Sequence, residues 1–336
     1  MTNTTTRRRF LAATGALPIA AMAGRASAAD FTLKFATGQD PSHPVNKRAA
    51  EAIARIKAAT GGKVDIALFP ANQLGSDPDL LGQVRSGAVD FFNIGASVLA
   101  TLVPAAGIVN VGFAFTTYDQ VWKAMDGELG AYVAKKIGET GIVQMGKSWD
   151  NGFRQLTSST KPIKTPADLK GFKIRVPPAP ILTSLFQALG AGPSPINFNE
   201  VYSSLQTKVV EGQENPLAII ATAKLYEVQK WCSMTSHVWD AYLVLGNPAS
   251  FGRLPKDMQA IVLREFDRAA LDERADIAKL SDSLKADLAA KGLQFVDVDK
   301  AAFRKALAAT TFYKDWKGKF GAEGWGLLEK AVGPLG

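Results

Sequence analysis

Period-two alternation marks the first element of the chain after residue 29. Phe31, Leu33 and Phe35 are apolar and the residues between them polar or small, so "FTLKFAT" reads as a strand. In "PVNKRAAEAIARIKAAT", Ala49, Ala52, Ile53 and Ile56 recur at helical spacing, and Gly61-Gly62 stands where a helix C-cap belongs. "KVDIALFP" alternates again at Val64, Ile66 and Leu68. "DPDLLGQVRSG" predicts a helix with Asp77 as N-cap and Pro78 at its first position. "AVDFFNIGAS" predicts a third strand. A β-α-β-α-β order implies parallel pairing with helices on the sheet faces.

The alternation of types continues. "AAGIVNVGF" is strand-like, and "TYDQVWKAMDGELGAYVAKKIGETG" reads as one long amphipathic helix. "IVQMGKSWDNGFRQLTS" holds one or two strands, "GFKIRVP" one more, and "APILTSLFQALGA" a helix. "EVYSSLQTKVVEGQ" and "AIIATAKLYEVQKW" read as helices and "DAYLVLGNP" as a strand. From Pro255 to Gly292 the pattern is helical for nearly forty residues. "LQFVDV" is strand-like and "DKAAFRKALAATTFYKDWKGKFG" a terminal helix.

At 336 residues the chain is long enough for two cores, since single cores stop growing near roughly 250–300 residues. No Pro/Gly/Ser-rich linker divides it. The expectation is therefore two α/β lobes built from discontinuous segments: residues 29–152 with about 241–280, and 153–240 with about 281–336. Hinge strands pass between the lobes, and the long helix crosses the boundary. Ligands in open α/β sheets bind beyond the carboxyl ends of strands, which places a cleft between the lobes.

Composition removes several function classes. The formal charge of +8 is halved when residues 1–28, with four arginines and no acid, are set aside. The remaining charges are interspersed, so no nucleic-acid partner is expected. One cysteine, Cys232, excludes an intrachain disulfide, and His43 and His237 lie far apart without cysteines. No metal and no cofactor are expected. No P-loop, dinucleotide-binding G-x-G-x-x-G, HExxH or EF-hand pattern is present. The opening "TRRRFL", a run of about fifteen weakly apolar residues and Ala26-Ser27-Ala28 read as a twin-arginine-type signal over residues 1–28, giving a periplasmic protein.

Three stretches carry candidate chemistry. Alternation in Phe172–Val176 sets Lys173 and Arg175 on one face, with Arg175 at the strand's carboxyl end. A guanidinium there matches a carboxylate bidentately, although residue type alone favours a solvated edge arginine. Arg154 lies in "WDNGFRQLTSS" between apolar neighbours and is open to both readings. In "FNEVYSSLQTKVVEGQENPL", Asn199 is a helix cap, Val201, Leu205 and Val209 are spaced at four, and Gly212 ends the helix. Asn215 is an amide able to donate and accept, or the start of an Asn-Pro turn.

"GFRQLTSSTKPIKTPADLKGFKIRVP" followed by "NFNEVYSSLQTKVVEGQENPL" resembles the DctP-type solute-binding subunit of TRAP transporters (tripartite ATP-independent periplasmic transporters). "GGKVDIALFPANQLG" and "AKLYEVQKW" extend the resemblance over the mature chain. It implies a two-lobed periplasmic-binding-protein fold of the Venus-flytrap kind, with an organic-acid ligand, membrane subunits as partners, and a monomer. Arg175 is then the carboxylate partner, Asn215 helps set that contact, and Arg154 is a second contact. Phe198 lines the pocket, and "SWDNGF" places Trp149 and Asn151 near the ligand. Closure brings Trp149, or the neighbourhood of Asn93 and Gln73, over it. Trp239 and Phe92 are further aromatic wall candidates. A C4-dicarboxylate-like acid is favoured, with an aromatic, 2-oxo or hydroxy monocarboxylate as the alternative. Two rival classes share the cleft: a ligand-sensing partner of a signalling receptor, and a secreted enzyme, for which no carboxylate pair or nucleophile stands out.

Overall fold

The computed structural model describes residues 1–2 and 29–336. The signal expected over residues 1–28 lies, from residue 3 on, outside the described residues. Twelve strands form two six-stranded sheets: β1 (Phe31–Thr37), β2 (Val64–Phe69), β3 (Phe91–Gly95), β4 (Val143–Gln144), β5 (Trp149–Phe153), β6 (Gln155–Ser158), β7 (Lys173–Val176), β8 (Gly192–Pro195), β9 (Gly212–Asn215), β10 (Trp231–Ser233), β11 (Trp239–Gly246) and β12 (Gln294–Val296). The first sheet runs β2-β1-β3-β11-β4, with β5 also paired to β11, and the second β12-β10-β6-β9-β7-β8. β2, β1 and β3 are parallel, as the β-α-β-α-β reading requires, and β11 enters antiparallel to β3.

Among the described residues twelve α-helices cover the sheets: α1 (Pro44–Ala59), α2 (Asp77–Ser86), α3 (Ala96–Leu99), α4 (Tyr118–Met125), α5 (Glu128–Gly138), α6 (Pro180–Ala188), α7 (Val201–Gln206), α8 (Leu217–Thr222), α9 (Pro248–Gly252), α10 (Lys256–Ala290), α11 (Lys300–Ala308) and α12 (Phe312–Val332). At 35 residues, α10 spans about 50 Å at a rise of about 1.5 Å per residue. It packs on α1 and β5 beside the first sheet and on α8 and β12 beside the second.

The chain crosses between sheets at two adjacent places. β5 of the first sheet is followed at once by β6 of the second. β10 of the second leads to β11 of the first. The crossings are tied where the Arg154 N–H donates to the Val238 carbonyl at 2.8 Å. These crossovers and α10 are the hinge strands and boundary-crossing helix of the expected fold.

Several local expectations fail for identifiable reasons. "AAGIVNVGF" is a buried 3₁₀ segment, Pro104–Asn110, rather than a strand; a continuous apolar run has no period to separate the two. The long helix after Thr117 breaks into α4 and α5 at Asp126-Gly127, where a Cβ on Gly127 would stand 2.6 Å from the Lys123 carbonyl oxygen. The helix after Phe198 stops at Gln206, because Lys208 turns the chain at φ 60°. Val209 is 62% exposed rather than buried with Val201 and Leu205, and Gly212 opens β9 instead of ending a helix. α8 is likewise short: Lys224 turns the chain at φ 54°, and a 3₁₀ turn, Leu225–Glu227, follows it before β10. The terminal helix divides into α11 and α12.

Candidate ligand-binding site

A polar cavity opens where the two sheets meet. Its wall includes Arg154, Arg175, Asn215, Phe198 and Asn151 from the expected set, together with Gln39, Asp77, Gly95, Ser97, Asp240 and Tyr242. Arg175 comes from β7, which pairs with β8 and β9 in the second sheet. Arg154 sits in the β5–β6 crossover. Asp240 and Tyr242 come from β11, while Gly95 ends β3 and leads into α3.

The two arginines are in opposite electrostatic states. Arg154 is enclosed by acids: Nε donates to Glu214 Oε2 at 2.5 Å, Nη2 to Glu214 Oε1 at 2.8 Å and to Asn215 Oδ1 at 3.0 Å, and Nη1 lies 3.4 Å from Asp240 Oδ2. Burial on its own would raise the Glu214 carboxyl, but Arg154 and His237 hold it down at about 2. His237 Nε2 donates to Glu214 at 3.0 Å, and its Nδ1 lies 2.8 Å from the Thr235 hydroxyl.

Arg175 is equally buried but, among the described residues, has no carboxylate within ion-pair distance. Its Nε and Nη2 both donate to the Ile196 carbonyl, at 2.9 and 2.7 Å, which aims the fork and leaves Nη1 for the cavity. Burial pushes this guanidinium down to about 9, with Glu214 drawing it back up and Arg154 opposing. It remains a cation at neutral pH. A buried cation without a counter-ion is costly, and an incoming carboxylate relieves that cost. Lys173, two residues earlier, is exposed.

The opposite wall is rich in acceptors. Asp240 accepts from the Ser97 N–H and hydroxyl at 3.2 and 2.8 Å, Asn110 Nδ2 at 2.8 Å and Asn151 Nδ2 at 3.0 Å. Burial raises its carboxyl, offset in part by Arg154 and these donors. Asp77 is half-buried at the start of α2. Ser76, not Asp77, caps that helix, closing a capping box with Asp79. Asp77 is thereby free of the capping role the sequence implied: Oδ1 accepts from Asn72 at 2.8 Å, and Oδ2 has no hydrogen-bond partner. Burial raises its carboxyl too, with Asn72 and Arg175 opposing.

Five expected site or wall residues stand outside this wall. Trp149 lies fully buried in the core between the first sheet and α1 and α10, beside Phe35 and Tyr242. Trp239 is buried on the sheet's other face against Phe115 and Trp122, its indole N–H donating to Asp150 at 2.9 Å. Asn93 is buried within β3, and Gln73 is exposed on the loop before α2. Phe92 is a core residue. Asp77, Asp240 and Gln39 escaped the sequence reading; Glu214 was legible only as the neighbour of Asn215 in "GQENP". Among the described residues no group of His, Cys, Asp and Glu is placed to hold a metal ion, and no helix is long and apolar enough to cross a membrane.

Two α/β lobes, joined by side-by-side crossovers around a polar cleft, define a solute-binding protein of the periplasmic type. Residues 35–316 match the model of DctP, bacterial extracellular solute-binding protein, family 7, and the chain belongs to that family. An uncharacterized protein of Sinorhizobium fredii is 35% identical over 307 residues, a match that takes in 90% of this chain and 57% of that protein. A TRAP periplasmic solute-binding protein from Sulfurospirillum deleyianum with bound succinate is 32% identical and superposes with a TM-score of 0.85 over 90% of this chain and 98% of that one. One from Roseobacter denitrificans with bound L-galactonate is 30% identical, with a TM-score of 0.84 over 91% and 99%. The family's members are substrate-binding components of transporters, not enzymes. This chain is a DctP-type solute-binding protein of the TRAP kind.

Proposed function

We propose that the protein captures an organic acid in the periplasm, by pairing the ligand carboxylate with Arg175, and delivers it to integral membrane subunits for uptake. One observation carries this reading: Arg175 is the guanidinium on the cavity wall that lacks a protein carboxylate, while Arg154 beside it is already neutralised. Asn215 and Phe198 frame the contact, and Arg154 acts mainly by ordering Asn215 and Glu214. The lobes are residues 29–152 with about 241–280 and 153–240 with about 281–336, with α12 folded back over α4 and α5. Export by the twin-arginine route and action as a monomer complete the proposal.

Closure of the lobes is driven by contacts made only in the closed form. Replacing Arg175 by alanine should weaken acid binding about thirty- to several-thousand-fold, the range for losing one partner of a buried charge pair. Calorimetry on the Arg175→Ala protein tests it, and unchanged affinity would refute it. Uptake of a labelled acid by cells with and without the membrane subunits tests delivery.

A further inference from the structure

The charge pattern of the cavity narrows the ligand class, taking the capture of a carboxylate at Arg175 as given. Two guanidinium groups face three carboxylates, since Glu214 and Asp240 surround Arg154 and Asp77 lies across from Arg175. Among the described residues on the wall, only Arg175 offers an unpaired cation. A first carboxylate is welcome there. A second, at the far end of a dicarboxylic acid, finds Asp77 and Asp240 instead of a cation.

The polar atoms left without partners have the same bias. Buried and unbonded in this wall are Asn151 Oδ1, Gln39 Oε1 and the Tyr242 hydroxyl oxygen. The orientation of Asn151 is fixed by its neighbours: its Nδ2 must face the acceptor-only Asp240, so its oxygen is the atom presented. With Asp77 Oδ2, the far wall therefore presents two acceptor oxygens, the Gln39 amide, which no hydrogen bond among the described residues orients, and one hydroxyl that can act either way. Acceptors buried without donors are costly. Ligand hydroxyl groups supply donors; a carboxylate supplies none. Gly95 keeps the space between them open, for a Cβ there would stand 3.2 Å from Asp240 Oδ2 and 3.5 Å from Asn151 Nδ2.

We propose that the ligand is a polyhydroxylated monocarboxylic acid, its carboxylate on Arg175 and its hydroxyl groups donating to Asp77 and Asn151 and bonding to the Gln39 amide, and that C4-dicarboxylates are discriminated against. This departs from the C4-dicarboxylate-like acid that the resemblance favoured.

Calorimetry and thermal shift on the mature protein, with D-gluconate, L-galactonate, succinate and L-glutamate as probes, decide the matter. One of the hydroxy acids should bind at least about a hundredfold more tightly than succinate, as expected where buried acceptors need ligand hydroxyls. Asp77→Asn, isosteric and half-exposed, should weaken the hydroxy acid and strengthen succinate. Gln39→Leu, a second variant independent of charge, should weaken the hydroxy acid alone. Succinate binding as tightly as the hydroxy acids overturns the ligand class while leaving Arg175 as the carboxylate anchor. Tightest binding by L-glutamate overturns it too, by assigning the acceptors to an ammonium group. Binding of any of these acids with affinity indifferent to Arg175→Ala refutes the anchor itself. No response to any probe refutes the ligand class; the wider carboxylate library run against Arg175→Ala then judges the anchor separately.

Discussion

Arg154 and Glu214 form a two-pronged ion pair in the interior, with Nε to Oε2 at 2.5 Å and Nη2 to Oε1 at 2.8 Å, and both side chains are buried. The pair joins the β5–β6 crossover to β9, so it fixes the hinge side of the cavity as well as its charge. Removing one partner leaves the other buried and unpaired. Arg154→Ala should therefore destabilise the protein by about 3–5 kcal/mol, read from chemical denaturation, while a solvated arginine would give almost nothing.

The same pair sets an acid limit. Glu214 is held at about 2 in the folded protein, against roughly 4.3 for a free glutamate. A depressed acid stabilises the fold above its unfolded value, and that contribution is lost as pH falls from roughly 4.3 toward 2. Melting temperatures should drop through this window in the wild type. In Glu214→Gln the drop should be shallower and start from a lower plateau.

Asp150 has the opposite sign. Burial pushes its carboxyl up to about 7, with the Trp239 indole and Tyr118 pulling it back. Its N–H donates to the buried Glu273 carboxylate on α10 at 2.8 Å, and Glu273 is itself raised by burial and by Asp150. A raised acid contributes stability below its unfolded value, roughly 3.9, that fades as pH climbs through about 7. Asp150→Asn should raise the melting temperature at pH 8, and the gain should vanish toward pH 4.

Trp149 separates core from cleft. Trp149→Ala should lower stability by about 3–5 kcal/mol, the cost of emptying a large buried site. Affinity of the remaining folded protein for its acid should stay as it was. A large loss of affinity without loss of stability would return Trp149 to the ligand.

Gly95 has φ −65°, so alanine fits its backbone. The added methyl would crowd Asp240 and Asn151 at the cavity wall. Gly95→Ala should cost about 1–3 kcal/mol, the range for overfilling a packed site, read as a lower melting temperature of the free protein together with weaker ligand binding.

Local chemistry made much of this legible. Alternation identified β1 and β2, and helical spacing between Pro255 and Gly292 identified α10. Those patterns read well because one face of each element is buried and the other wet. Where both faces are buried, as at Pro104–Asn110, the pattern carries no period. Where a single residue such as Lys208 adopts positive φ, composition gives no warning. Strand β9 was hidden for a related reason: "GQEN" is polar, and its burial depends on β6 and β7 packing around it.

Arg175, Arg154 and Asn215 could be singled out from residue type and neighbouring motifs, for a guanidinium at a strand end has few uses inside a protein. Which arginine is free could not. That depends on Glu214 and Asp240 reaching Arg154 from β9 and β11, 60 and 86 residues away along the chain, while none reaches Arg175. By itself the sequence determined most of the elements, the two-lobed class and which arginines were candidates for an anion. Tertiary structure decided which charges cancel and which wall lacks donors, because pairing energies fall off over a few ångströms and only folding sets those distances.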